Sequence, residues 1–133
     1  MLKLLQVEAN DFLCYGKLSL DVTRYSLVQL VADNGAGKTN ILSIITEALY
    51  GKNPRGYAKG ELFNRNTNAT KYSISVTFSK DGSVYIATTN RTKTVAKVTL
   101  SKDGIDITSH TSKGTFAEIE SIIGLDYELF LQY

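Results

Sequence analysis

The chain opens on "LKLLQVEANDF" (Leu2 to Phe12), an apolar stretch interrupted by polar residues at Lys3, Gln6, Glu8 and Asn10, and this pattern predicts a strand. "KLSLDV" (Lys17 to Val22) alternates strictly, as a half-exposed strand does. "SLVQLVA" (Ser26 to Ala32) is nearly continuous apolar, which suits a strand covered on both faces. A helix is predicted from Thr39 to Tyr50, with Ile41, Leu42, Ile44, Ile45, Ala48 and Leu49 on one wide face. Gly51 stands where a helix C-terminus favours positive φ. Asn53 to Gly56 reads as a turn, and Lys59 to Lys71 as a polar loop apart from Leu62 and Phe63.

The middle of the chain changes character. "KYSISVTFSKDGSVYIATTNRT" alternates on both sides of Asp81-Gly82, and "AKVTLSKDGIDIT" does so around Asp103-Gly104. Asp-Gly between alternating runs is a strong hairpin signal. Two copies are too few for a solenoid. "SKGTFAEIESIIG" returns to helical spacing, with Phe116, Ile119, Ile122 and Ile123 on one face and a stop at Gly124. A second helix is expected from Asp126, a plausible N-cap, and the sequence ends inside it. We therefore expect the chain to be a segment of a longer protein.

Between the buried-type strand and the first helix lies "ADNGAGKTN" (Ala32 to Asn40). A phosphate-binding loop uses converging backbone N–H groups, the positive end of a helix dipole and a lysine. Gly35 and Gly37 allow close approach of the backbone. Lys38 supplies the charge, and Thr39 a hydroxyl for magnesium. The usual motif has a glycine where this chain has Ala32, at the rim of the loop. The amides of Asn34, Gly35, Ala36, Gly37, Lys38, Thr39 and Asn40 are unaffected. The strand before and the helix after are the context the motif requires. The competing reading is a glycine-rich turn with an exposed lysine.

Composition narrows the setting. The 133 residues are 43% hydrophobic, enough for one packed domain. One cysteine, Cys14, excludes a disulfide framework and points to a reducing compartment. One histidine, His110, with that cysteine far away, cannot build a zinc site. No run matches a membrane span, and the N-terminus is too short and too soon polar for a secretory signal. A cytoplasmic setting is expected. Charge is unevenly spread: residues 52–113 hold eleven Lys/Arg against four Asp/Glu. Such a segment either faces a polyanion or uses lysine to protect exposed strands.

Small kinases and GTPases follow the P-loop helix with βαβ crossovers, whereas here antiparallel hairpins follow it. Taken in order, the pieces "ANDFLCYGKLSL", "NGAGKT", "ALYG", Val76-Thr77-Phe78, "DGSVYI" and Ile119 to Phe130 resemble the N-terminal half-head of SMC-like ATPases, the SbcC and Rad-fifty family of DNA double-strand-break repair. The compact loops resemble a bacteriophage recombination endonuclease subunit, which implies a nucleoid-associated place or the cytoplasm of an infected host. The resemblance covers essentially the whole chain. It implies an α/β fold: a P-loop NTPase of ABC type, residues 1–133 forming its N-terminal lobe, with a RecA-like strand–loop–helix core beside an antiparallel β-subdomain. It implies ATP and Mg2+ as cofactors, held by Asn34 to Asn40 with Thr39 on the metal. Expected partners are a second ATPase head in a homodimer, a metallo-phosphoesterase nuclease subunit and double-stranded DNA, with no membrane.

The resemblance turns the basic segment toward DNA, with Lys59, Arg65, Lys71, Arg91, Lys93, Lys97 and Lys102 as candidate contacts. Tyr15, Tyr57 and Tyr72 could stack on a base, although packing is the commoner use of such residues. There are departures. Leu13 stands where many members have an arginine, and Gln132 is too close after Phe130 to be the Q-loop glutamine. No Walker B run, "SGG" signature, heptads or Cys-x-x-Cys hook is present. The intact protein is thus expected to be an ATPase, and this segment alone to hydrolyse almost nothing. Two rival readings remain: a nucleotide-binding domain of another ABC-type ATPase such as a transporter, and a non-enzymatic basic β-module.

Overall fold

The structure is a computed structural model that describes residues 2–12, 15–21, 38–51, 71–92 and 95–125. Its strands are β1 (Lys3–Phe12), β2 (Tyr15–Asp21), β3 (Lys71–Lys80), β4 (Ser83–Thr92), β5 (Ala96–Lys102) and β6 (Ile105–Asp106). Its helices are α1 (Lys38–Tyr50) and α2 (Ser112–Ile123). The strands form one antiparallel sheet in the order β2-β1-β3-β4-β5-β6. The expected strand at Ser26 to Ala32, the glycine loop as far as Gly37 and the helix expected from Asp126 lie outside the described residues.

Both Asp-Gly signals form tight hairpins. Asp81 and Gly82 have φ of 51° and 87°, and Asp103 and Gly104 have 50° and 84°. Two consecutive positive φ angles make the turn whose twist matches that of the flanking strands. The hairpins are also tied together: the Asp103 N–H donates to the Val84 carbonyl at 2.8 Å, and the Val84 N–H donates to Asp103 Oδ1 at 2.9 Å. β1 carries an irregularity between Leu4 and Gln6 where its register with β3 shifts. Asp11, with φ of 54°, bends the end of the strand and Phe12 turns inward, fully buried.

One face of the sheet is the core face. Val7 and Ala9 of β1, Tyr72, Ile74, Val76 and Phe78 of β3, Tyr85 and Ala87 of β4 and Leu100 of β5 all bury there. Ile44, Ile45, Ala48 and Leu49 of α1 and Ile119 and Ile123 of α2 close over them. Phe78 and Tyr85 stack at 5.2 Å, and Phe12 meets Tyr72 edge-on at 5.0 Å. Tyr72 is therefore a packing residue, not a free stacking platform.

α1 departs from expectation in one respect. Its spacing predicts one apolar face, yet every residue from Ser43 to Tyr50 is buried. The polar residues settle locally: the Thr46 hydroxyl donates to the Ser43 carbonyl at 3.4 Å. Gly51 ends the helix as its position suggests, with φ of 70° and its N–H donating to Glu47 O at 3.0 Å. A β-carbon there would lie 2.9 Å from the Phe116 ring, so α2 packs directly against the backbone. α2 starts at an N-cap, Thr111, whose side chain accepts from the Gly114 N–H, and ends at left-handed Gly124. Tyr50 Oη donates to the Leu125 carbonyl at 2.7 Å, and Lys80 Nζ to the Ile123 carbonyl at 3.2 Å.

Candidate nucleotide and polyanion sites

α1 begins at Lys38, so Lys38, Thr39 and Asn40 occupy its first turn. The first N–H groups of a helix have no partner within it, and its dipole is positive at that end. No acidic residue sits in that first turn to occupy those groups or offset the dipole. The helix is held firmly, since its C-terminal half is wholly buried against the sheet. A turn with these properties suits a polyphosphate. Asn34, Gly35, Ala36 and Gly37 lie outside the described residues, as do the side chains of Lys38, Thr39 and Asn40. Among the described residues, no group of three or more His, Cys, Asp or Glu could hold a metal ion.

The seven candidate DNA contacts separate. Lys59, Arg65 and Lys93 fall outside the described residues. Lys71, Arg91 and Lys97 come together around one open concavity of about 390 Å³ at the end of the sheet where β3 begins. Lys102 stands at the other end of β5, its Nζ 5.9 Å from the Tyr85 ring centroid. A cation over an aromatic face is stabilised where it lies, without a ligand. His110 is exposed, as expected.

Behind the concavity is a buried polar group. Tyr72 pairs in register with Arg91, and Glu47 of α1 lies close by, 2% exposed. Burial pushes the Tyr72 phenol up to about 12, the charge of Glu47 adds to this, and Arg91 opposes it. Tyr72 therefore stays neutral at ordinary pH. Glu47 was not legible as part of this group, because α1 reads as a one-faced helix.

Sequence reasoning also missed Asn10, Lys17 and Asn90. On the face away from the helices, Lys17, Asn10, Ser73, Asn90 and Lys97 are successive cross-strand partners on β2, β1, β3, β4 and β5. These residues are far apart in the chain, and only strand order and register place them side by side. The alternation of each strand shows which face they occupy, but not which residues are neighbours.

The fold is an α/β domain with a large antiparallel sheet. The family model described as an AAA domain matches residues 6–133. The "Probable exonuclease subunit 2" of Escherichia phage T5 is 38% identical over 122 residues, covering 91% of this chain and 20% of that protein. The "DNA double-strand break repair Rad50 ATPase" of Archaeoglobus fulgidus is 42% identical over 59 residues, 44% of this chain and 6% of that protein. The chain belongs to this AAA-domain family and is SbcC/Rad50-like. It spans about a fifth of the length of the phage relative. The structure of the recombination mediator RecF with ATP is similar in fold, with a TM-score of 0.62 at 17% identity over 86% of this chain and 30% of that one. No helix among the described residues is long and apolar enough to cross a membrane.

Proposed function

We propose that residues 1–133 are the N-terminal, ATP-binding lobe of an ATPase head that pairs with a second head around ATP-Mg2+, rests on double-stranded DNA and controls a partner metallo-phosphoesterase nuclease. The observation that carries this reading is Gly-Lys-Thr at the head of α1, within a segment matched by the family model. The names of the relatives, an exonuclease subunit and a break-repair ATPase, support the nuclease and DNA partners.

The residues fit the cofactor. The amides of Asn34 to Asn40 would surround the phosphates, with the Lys38 ammonium among the phosphate oxygens and the Thr39 hydroxyl on Mg2+. Bound there, the triphosphate supplies the bond that hydrolysis breaks. The chain's own part is to bind and orient. α1 presents its unpaired N–H groups, and the buried half of the helix holds them fixed against the sheet. A ligand that prefers closed over open heads shifts that equilibrium by its difference in affinity alone. Lys71, Arg91 and Lys97, with Lys59, Arg65, Lys93 and Lys102 as further candidates, would meet the DNA backbone without reading sequence.

Lys38→Ala tests the reading in the intact protein. A charge-assisted contact to phosphate contributes roughly 1.5–3 kcal/mol, so ATP retention is expected to fall at least tenfold while the circular dichroism spectrum stays unchanged. An ATP affinity equal to that of the parent protein would refute the nucleotide assignment.

A further inference from the structure

The concavity has a built floor. Asn10, Ser73 and Asn90 stand side by side on β1, β3 and β4, with Lys97 next on β5. Strands lie about 4.8 Å apart, so the two carboxamides are roughly 10 Å from each other with the serine hydroxyl between them. Lys71 stands two residues along β3 from Ser73 on the same face, whereas Arg91, in register with Tyr72, turns to the helix side with its Nε buried.

The neighbouring rows of this face behave differently. There, Gln6 donates to Glu8 and Ser19 at 2.9 and 3.0 Å, and Thr88 to Ser75 at 3.2 Å. The side chains of Asn10, Ser73 and Asn90 make no hydrogen bond to another described residue. The amides over the concavity are left for something else, while the rows beyond it are satisfied internally.

Volume decides what that can be. A rounded space of about 390 Å³ is roughly 9 Å across, far narrower than a duplex. A duplex, with grooves about 6 and 12 Å wide, lies over such a space and reaches only the lysines at its rim. A single nucleotide can enter, and the volume lies within the range of roughly 300–1,000 Å³ usual for small-ligand pockets. The lining chemistry matches both halves of a nucleotide. Carboxamides offer a donor and an acceptor in one plane and so pair with base edges. The ammonium groups of Lys71 and Lys97 bind phosphate oxygens. Asp11 is the single carboxylate in the lining, against three cations.

We propose that this concavity receives one unpaired nucleotide of a DNA strand, at a free end or a frayed junction, with its base edge on Asn10 and Asn90 and its phosphate against Lys71 and Lys97. The inference rests on the DNA-binding reading above and extends it from duplex backbone to strand ends. Ends are where an unpaired nucleotide is available at the least cost in stacking and pairing.

The test uses the intact ATPase and two DNA probes of equal length: a covalently closed duplex circle and the same duplex linearised with short single-stranded overhangs. A second linear probe carries 2-aminopurine in the overhang. The overhang duplex is expected to bind about tenfold more tightly than the circle, the discrimination that one good base-edge contact provides. The 2-aminopurine fluorescence is expected to change on binding. Asn10→Ala with Asn90→Ala is expected to bring the overhang duplex down to the affinity of the circle. Equal binding of circle and overhang duplex by the parent protein would overturn the pocket and leave duplex binding standing, as would a preference that survives the double substitution. Binding to neither probe would overturn the DNA reading itself, and the pocket with it.

Discussion

Tyr72 shows how one residue links packing to charge. Its ring is a core element against Phe12, while its hydroxyl feels the charges of Glu47 of α1 and Arg91 of β4. Burial raises its folded-state value from 10.0 to about 12, with the Glu47 charge adding to the rise. The folded state therefore holds this proton more tightly than the unfolded chain. The resulting stability is fully present below pH 10 and is lost as pH rises through about 12. The whole difference is worth roughly 3 kcal/mol. Tyr72→Phe is expected to lower stability somewhat at neutral pH, because the buried polar group loses a member. It should also flatten the decline in unfolding free energy between pH 10 and about 12. Urea unfolding of both proteins across that window checks this, and parallel declines would show that the phenol does not titrate differently on folding.

At the level of elements, the turn chemistry and helix stops could be read directly from sequence, because each depends on a few adjacent residues. Asp81-Gly82 and Asp103-Gly104 specify their turns, and Gly51 and Gly124 their helix ends, through backbone angles that few other residues adopt. What could not be read depends on partners distant in the chain. The burial of α1 from Ser43 to Tyr50 follows from tertiary packing, and the row of Asn10, Ser73 and Asn90 from strand order, neither of which local alternation encodes. The tie between the two hairpins is of the same kind. Asp103 sits in one turn, yet its carboxylate accepts from Val84 at the start of β4. Asp103→Ala removes that acceptor and also places alanine at a φ of 50°. It is expected to cost about 1–2 kcal/mol and to speed hydrogen exchange at the Val84 amide. Asp103→Asn keeps an acceptor oxygen and tolerates the angle, so its Val84 amide should stay protected. Equal exchange in both variants would mean that the turn, not the side-chain bond, holds the hairpins together.

Across the whole molecule, charge and architecture divide along the same line. The helices cover one face of the sheet with the apolar core and leave the other face polar. The proposed nucleotide site lies at the head of α1, and the described basic candidates lie on the strands. The strand cations are not equivalent, however. Lys71 and Lys97 are exposed at the rim of one concavity, whereas Lys102 is at the far end of β5 over Tyr85. Salt dependence separates them. Each phosphate neutralised releases condensed counterions, so removing one such cation should reduce the slope of log K against log salt by about one. For the intact ATPase on a closed duplex, Lys71→Ala with Lys97→Ala is therefore expected to reduce the magnitude of that slope by about two. Affinity should weaken alike on unrelated sequences, because phosphate contacts carry no sequence information. Lys102→Ala is expected to leave the slope unchanged, since its ammonium is already engaged and points to a different region of the surface. Anisotropy titrations from about 50 to 200 mM salt resolve such differences. A slope that falls equally for Lys102→Ala would show the duplex running along the full length of β5, and a slope unmoved by the rim pair would remove this end of the sheet from the DNA path.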